Sequence, residues 1–251
     1  MAKFYYKHSV ATDDGSVDNT PKLRFWAPMG ILVFAMTSTF AAFDWMMSLE
    51  PHWFSTMFGV YYFGGTVVAI FSILTAVSIS LQKRGFLEDV ITTEHYHDMG
   101  KMMFAFTVFW AYIAFSQYML IWYANIPEET AWFQMRMEGS WFYFSMFLCV
   151  GHFGLPFFFL MGRTIKRIRT TIFAGAIWML IMHYVDMFFI VQPTLSHFHG
   201  GHGFSMHIAD LTTFVGIGGV VLSLFVKRLV AEPMVPTGDP RLQESLAFEN
   251  F

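Results

Sequence analysis

Apolar residues fall along this chain in six long runs, over 26–49, 55–81, 101–124, 139–161, 170–192 and 207–226. Each is close to the roughly 20 residues a helix needs to cross about 30 Å of hydrocarbon. Pro28 sits where a first helical turn tolerates it, Glu50-Pro51 closes the first run, and Asn125-Ile126-Pro127 closes the third. The pattern predicts an all-α, polytopic membrane bundle of six transmembrane helices over 26–229, with polar tails over 1–25 and 230–251. Gly59, Gly64 and Gly65 in the second run form a surface that another helix can approach closely. The third run opens on the most polar stretch of the chain, Glu94, His95, His97, Asp98 and Lys101, with Thr92 or Thr93 offering an N-cap.

Charge orients the bundle. If the six spans alternate, all but Arg136 of the 15 Lys and Arg residues fall on one side. Cytoplasmic loops hold such an excess, so the expected topology is N-in, C-in. The other side then carries Glu50, Glu128, Glu129, Glu138 and a loop rich in Gly and His over 193–206. With 55% hydrophobic and 13% charged residues, there is too little charge to coat a water-soluble surface. No basic aromatic patch points to nucleic acid. Cys149 is the single cysteine, which leaves no disulfide framework, CxxC pair, CxxCH haem attachment or iron–sulfur ligand set. Residues 1–24 lack the pattern of a cleaved signal peptide, which places the membrane address in the spans themselves.

Against this greasy background the ionisable groups form a ladder of depths. His97, Asp98 and Lys101 lie at the inner mouth, His152 and His183 within the bilayer, and Asp186, Asp44 and Asp210 toward the outside. A charge at a helix centre costs about 2.5–3.5 kcal/mol on insertion scales, so each group needs a partner or a polar cavity. His183 and Asp186, three residues apart, share a helix face and are placed to bond. These eight residues are candidates for a proton path. Blander readings stay open beside it: His152 as a packing residue, Asp44 as a solvated helix end, Glu94 to Lys101 as an ordinary capped start, and Gln117 and Ser116 as glue between helices. His197-x-His199-x-x-His202 with His207, and Glu94-His95-x-His97-Asp98, match no metal-ligand spacing closely, so no metal is expected. His152 and His183 as axial ligands of a haem lack the paired histidines that two facing helices usually supply.

Three strings then suggest a family: Asp44-Trp-Met-Met-Ser-Leu-Glu-Pro-His-Trp-Phe-Ser55, His97-Asp98-x-Gly100-Lys101, and Phe115-Ser-Gln-Tyr-Met-Leu-Ile-Trp-Tyr-Ala-Asn-Ile-Pro-Glu-Glu129. They resemble the F subunit of bacterial alternative complex III, a quinol:cytochrome c oxidoreductase. That subunit is NrfD/PsrC-like and is often called the second quinone-binding subunit. The likeness runs through His183-Tyr-Val-Asp186 to the closing tail. It implies a bacterial inner-membrane subunit with no redox centre of its own. Its partners would be a sister NrfD-like subunit and periplasmic subunits carrying iron–sulfur clusters and c-type haem. Its expected role is assembly, with proton movement or binding of a quinone such as menaquinone, for which His152 and Gln117 are the candidate donors. Family members have further spans before the Asp44 string, so this chain is expected to match their C-terminal six helices. A secondary transporter or channel and a purely structural anchor are the competing classes. The first would show an inverted repeat, which the sequence does not display.

Overall fold

The computed structural model describes residues 2–13, 18–198, 203–204, 206–231 and 233–250. All regular elements among its described residues are helices, and six of them are long and apolar enough to cross a membrane. The chain is a multi-pass α-helical membrane protein. In order, the helices are α1 (Ala2–Asp13), α2 (Thr20–Trp45, prolonged by a 3-10 turn at Met47–Leu49), α3 (Phe58–Gln82), α4 (Thr93–Ala124), α5 (Pro127–Met137), α6 (Gly139–Leu148), a π turn (Cys149–Gly154), α7 (Leu155–Met161), α8 (Arg163–Arg167), α9 (Arg169–Phe198), α10 (Ile208–Ala231) and α11 (Leu242–Leu246). Where the sequence reads as a polar tail, residues 2–13 are helical, and the first spanning helix starts at Thr20.

Two compact units divide the chain, residues 1–30 with 205–248, and residues 31–204 with 249–251. In the first unit the Tyr5 hydroxyl donates to the carbonyl of Trp26 at 2.7 Å. The Gly238 N–H donates to the Asp13 carboxylate. Helix α10 buries none of its residues.

The second unit is a bundle of α3, α4, α9 and the broken span α6–π turn–α7. Buried positions on α4 recur at Gly100, Met103, Thr107, Trp110, Ile113, Gln117 and Ile121, in steps of three or four that keep one stripe against its neighbours. On α3 the matching stripe is small: Gly64, Gly65, Val68, Ser72 and Ala76. A Cβ on Gly64 would sit 3.4 Å from the Trp110 backbone, so the expected close approach occurs, with α4 against Gly64.

Local chemistry sets the ends. Thr92 caps α4 through a reciprocal box with His95, whose Nδ1 accepts from the Thr92 N–H at 3.0 Å. Asn125 ends α4 in the left-handed conformation, and Pro127 then starts α5 with Glu128 and Glu129 in its first turn, where their charge suits the helix dipole. The stretch between the third and fourth spans is therefore a helix, and Pro-Glu-Glu is the sequence signal for it.

Helix α5 is fastened by Arg136, which is fully buried. Pro193 inside α9 has no N–H to give the carbonyl of Phe189. The Arg136 Nε takes that carbonyl at 3.2 Å, its Nη2 takes Ile190 O at 2.7 Å, and its Nη1 takes Trp132 O at 3.0 Å. The guanidinium also lies 3.4 Å from the centre of the Trp132 ring, which stacks in turn on Trp53. Burial pulls its pKa well below the ordinary arginine value. Replacing Arg136 with Met should lower the stability of the detergent-solubilised protein by on the order of 3 kcal/mol, since hydrogen bonds to a charged group contribute about 1.5–3 kcal/mol each. Thermal unfolding measures this, with Glu128→Gln as the near-neutral control; an unchanged midpoint for Arg136→Met contradicts the assignment.

Candidate functional site

The π turn and Pro156 build the site's first wall. The Leu155 N–H reaches back to Val150 O, one residue further than in an α-helix. The carbonyl of Gly151 is next in that register, and Pro156 has no N–H to offer it. Trp178 of α9 supplies the donor from its indole at 2.8 Å. Gly151 is also where Met182 packs closest, since a Cβ there would lie 2.8 Å from its methyl group. The wide turn leaves His152 fully buried, 3.9 Å centre to centre from the Trp110 indole.

Opposite it, α9 carries His183 and Asp186. Asp186 is fully buried. Its Oδ1 accepts from the Tyr61 hydroxyl of α3, and its Oδ2 accepts from the Trp110 indole N–H of α4 at 3.1 Å. One carboxylate thus ties α3, α4 and α9 together. His183 packs on Gly65, where a Cβ would lie 3.3 Å from its ring. Potential ligand atoms of His152, His183 and Asp186 all lie within 4.8 Å of one another. Both ring nitrogens of His152 and the Nδ1 of His183 are buried without a hydrogen-bond partner. The expected His183–Asp186 pair is replaced: Tyr61 and Trp110 hold both carboxylate oxygens, because they converge on Asp186 from the facing helices.

The structure redistributes the ladder. His152, His183 and Asp186 form one cluster instead of successive rungs. His97 is buried near the start of α4, with its Nδ1 unpartnered. Asp98 pairs with Lys101 at 2.5 Å, and Lys101 also donates to Asn250. Glu94 binds Arg167 at 2.9 Å and accepts from the Asn250 N–H. Lys166 lies in the same layer and caps the carbonyls of Leu160 and Met161, at 2.8 and 3.1 Å. Burial and the nearby Lys101 pull its amine below the ordinary lysine value. Asp44 is exposed, and Asp210, in the other unit, accepts from the His207 N–H at the start of α10. Asp44 does not join the cluster.

Between the His97 layer and the cluster, α4 rises about 20 Å at 1.5 Å per residue. This interval is filled by Val68, Met103, Leu160, Ile172, Ala176 and Met179. Its polar groups are the hydroxyls of Ser72, Thr75 and Thr107, each donating at 2.8 Å to a carbonyl of its own helix. A cavity of about 550 Å3 adjoins the cluster on its other side. Tyr61 and Trp110 line it together with Gln117, Trp132, Arg136 and Phe153. The Gln117 Nε2 is buried without a partner, so this amide does not glue helices. Of the two candidate quinone donors, Gln117 faces the cavity, whereas His152 is absent from its lining and packs against Trp110.

The sequence reading did not find Tyr61, Trp110 or Arg136. Arg136 carried a signal, as the one basic residue outside the charged side. The tyrosine and tryptophan carried none, being two aromatics among 31 Phe, 10 Tyr and 8 Trp. His95 serves the α4 cap, and His199 and His202 lie outside the described residues. No family model matches the chain. No curated protein matches it either.

Proposed function

We propose that this chain is an integral membrane subunit of a respiratory quinol:electron-acceptor oxidoreductase of the alternative complex III type, in which it carries protons and no electrons. The observation that carries this reading is the buried Asp186, held by Tyr61 and Trp110 beside two imidazoles with unpartnered nitrogens. A carboxylate and two imidazoles gathered inside an apolar bundle are costly to keep for packing alone. Imidazole has an unperturbed pKa near 6.5, which suits it to accept and release protons at physiological pH. The strings Asp44–Ser55 and Phe115–Glu129 support the family, and the one-sided Lys and Arg distribution supports N-in, C-in insertion in a bacterial inner membrane.

In this mechanism protons enter at the His97, Asp98 and Lys101 layer. They cross the apolar interval on water admitted beside Ser72, Thr75 and Thr107, whose hydroxyls turn from their own helix carbonyls to that water. They reach His183, His152 and Asp186, and leave past Tyr61 toward the cavity. Electrons stay with iron–sulfur and haem c groups in partner subunits, and a sister NrfD-like subunit completes the membrane arm. In the purified complex reconstituted in vesicles, Asp186→Asn or His183→Ala should abolish most of the proton translocation while electron transfer falls only a few-fold. An unchanged proton-to-electron ratio contradicts the proton role and favours a structural anchor.

The cavity supports a second reading, a quinone pocket. Its walls are aromatic, and the unpartnered Gln117 Nε2 is a donor awaiting a carbonyl acceptor. Gln117→Leu should weaken binding of a menaquinone analogue to the complex about tenfold, the worth of one hydrogen bond of about 1.4 kcal/mol. Equal affinity for the two proteins contradicts the pocket.

A further inference from the structure

We propose that His152, His183 and Asp186 form a binding site for a late first-row transition-metal dication, with Zn2+ as the fitting ion. The three side chains come from the π turn and from one face of α9, and their potential ligand atoms lie within 4.8 Å of one another. His152 is fully buried, yet neither of its ring nitrogens has a partner; the Nδ1 of His183 is in the same position. A buried polar atom left without a hydrogen bond costs about 1–3 kcal/mol, and one candidate ligand nitrogen from each of these two histidines lies within 4.8 Å of a carboxylate oxygen of Asp186, a place suited to an electrophile.

The donor set selects the class of ion. Two imidazoles and one carboxylate make a three-ligand site with an open fourth position, a common arrangement around zinc. Mg2+ and Ca2+ prefer shells of oxygens, which this pocket does not offer. Ligand atoms around a tetrahedral zinc lie about 3.4 Å apart, given bonds near 2.1 Å, and small rotations of the two rings cover the difference. Asp186 already has the outer support that metal-binding carboxylates use, since Tyr61 and Trp110 donate to it and fix its plane. Tyr61 and Trp110 also line the 550 Å3 cavity, so the site lies directly behind that cavity's wall. Occupation would take the ring nitrogens out of any proton chain, so the ion acts there as a blocker.

The site is tested on the purified complex, or on the full chain in detergent, stripped of metal with a chelator and then given Zn2+ alone. Zinc retained after gel filtration is counted, and X-ray absorption reads its shell. One zinc per chain is expected, in a nitrogen and oxygen shell with the scattering signature of two imidazoles. His152→Gln or His183→Gln should weaken binding at least tenfold, and equimolar Mg2+ should not compete. The histidines at 197, 199, 202 and 207 are the competing source, and replacing all four with Gln should leave the zinc bound. Wild-type protein that retains no zinc, a shell lacking imidazole, or loss of zinc only in the loop variant overturns the site. These measurements need no turnover, so a chain that binds zinc yet fails the proton-ratio experiment overturns the proton role alone.

Discussion

A single buried carboxylate holds the centre of this bundle. Asp186 of α9 receives a hydroxyl from α3 and an indole N–H from α4, and His152, from the broken fourth span, packs on that same indole. In hydrocarbon the hydrophobic effect gives helices little reason to choose one another, because lipid is as apolar as they are. Polar contacts and close packing of small residues supply the choice instead. The stripe of Gly64, Gly65 and Ser72 lets α3 come close enough for Tyr61 to reach across, and Gly65 leaves room for His183.

The same scarcity of water governs the backbone. Pro156 and Pro193 each remove a donor from the helix ladder, and the carbonyl that each leaves over finds a side chain. Gly151 O takes Trp178, while Phe189 O and Ile190 O take Arg136. Non-helical backbone is tolerated at that depth only where protein satisfies it. These irregular turns flank the Asp186 cluster and the cavity beside it, so the interruptions in helix geometry are what shape the site. Arg136 serves both, closing the backbone of α9 while forming part of the cavity wall.

Much of this was legible in the chain. Six spans followed from apolar length alone, and the end of α4 at Ala124 agrees with the breaker Asn125-Ile126-Pro127. His183 and Asp186 announced themselves because a titratable group stands out in an apolar run. The grouping of His152 with them was not legible, since depth counted along an ideal helix ignores the register shift that a π turn brings. Helix α5 lies between the apolar runs that mark the spans, and Pro127, Glu128 and Glu129 are the only sequence sign of its start. Tyr61 and Trp110 were hidden for another reason: in a chain so rich in aromatics, only a fold shows which ring edge meets a carboxylate.

The central claim is that protons reach and leave Asp186 while the complex turns over. Infrared difference spectroscopy on the complex, stepped between quinol-reduced and oxidised states, reads this directly through carboxyl stretching bands. The account predicts a carboxyl band that appears or shifts between the two states and is missing in Asp186→Asn. A difference spectrum identical in the wild type and in that variant would contradict it.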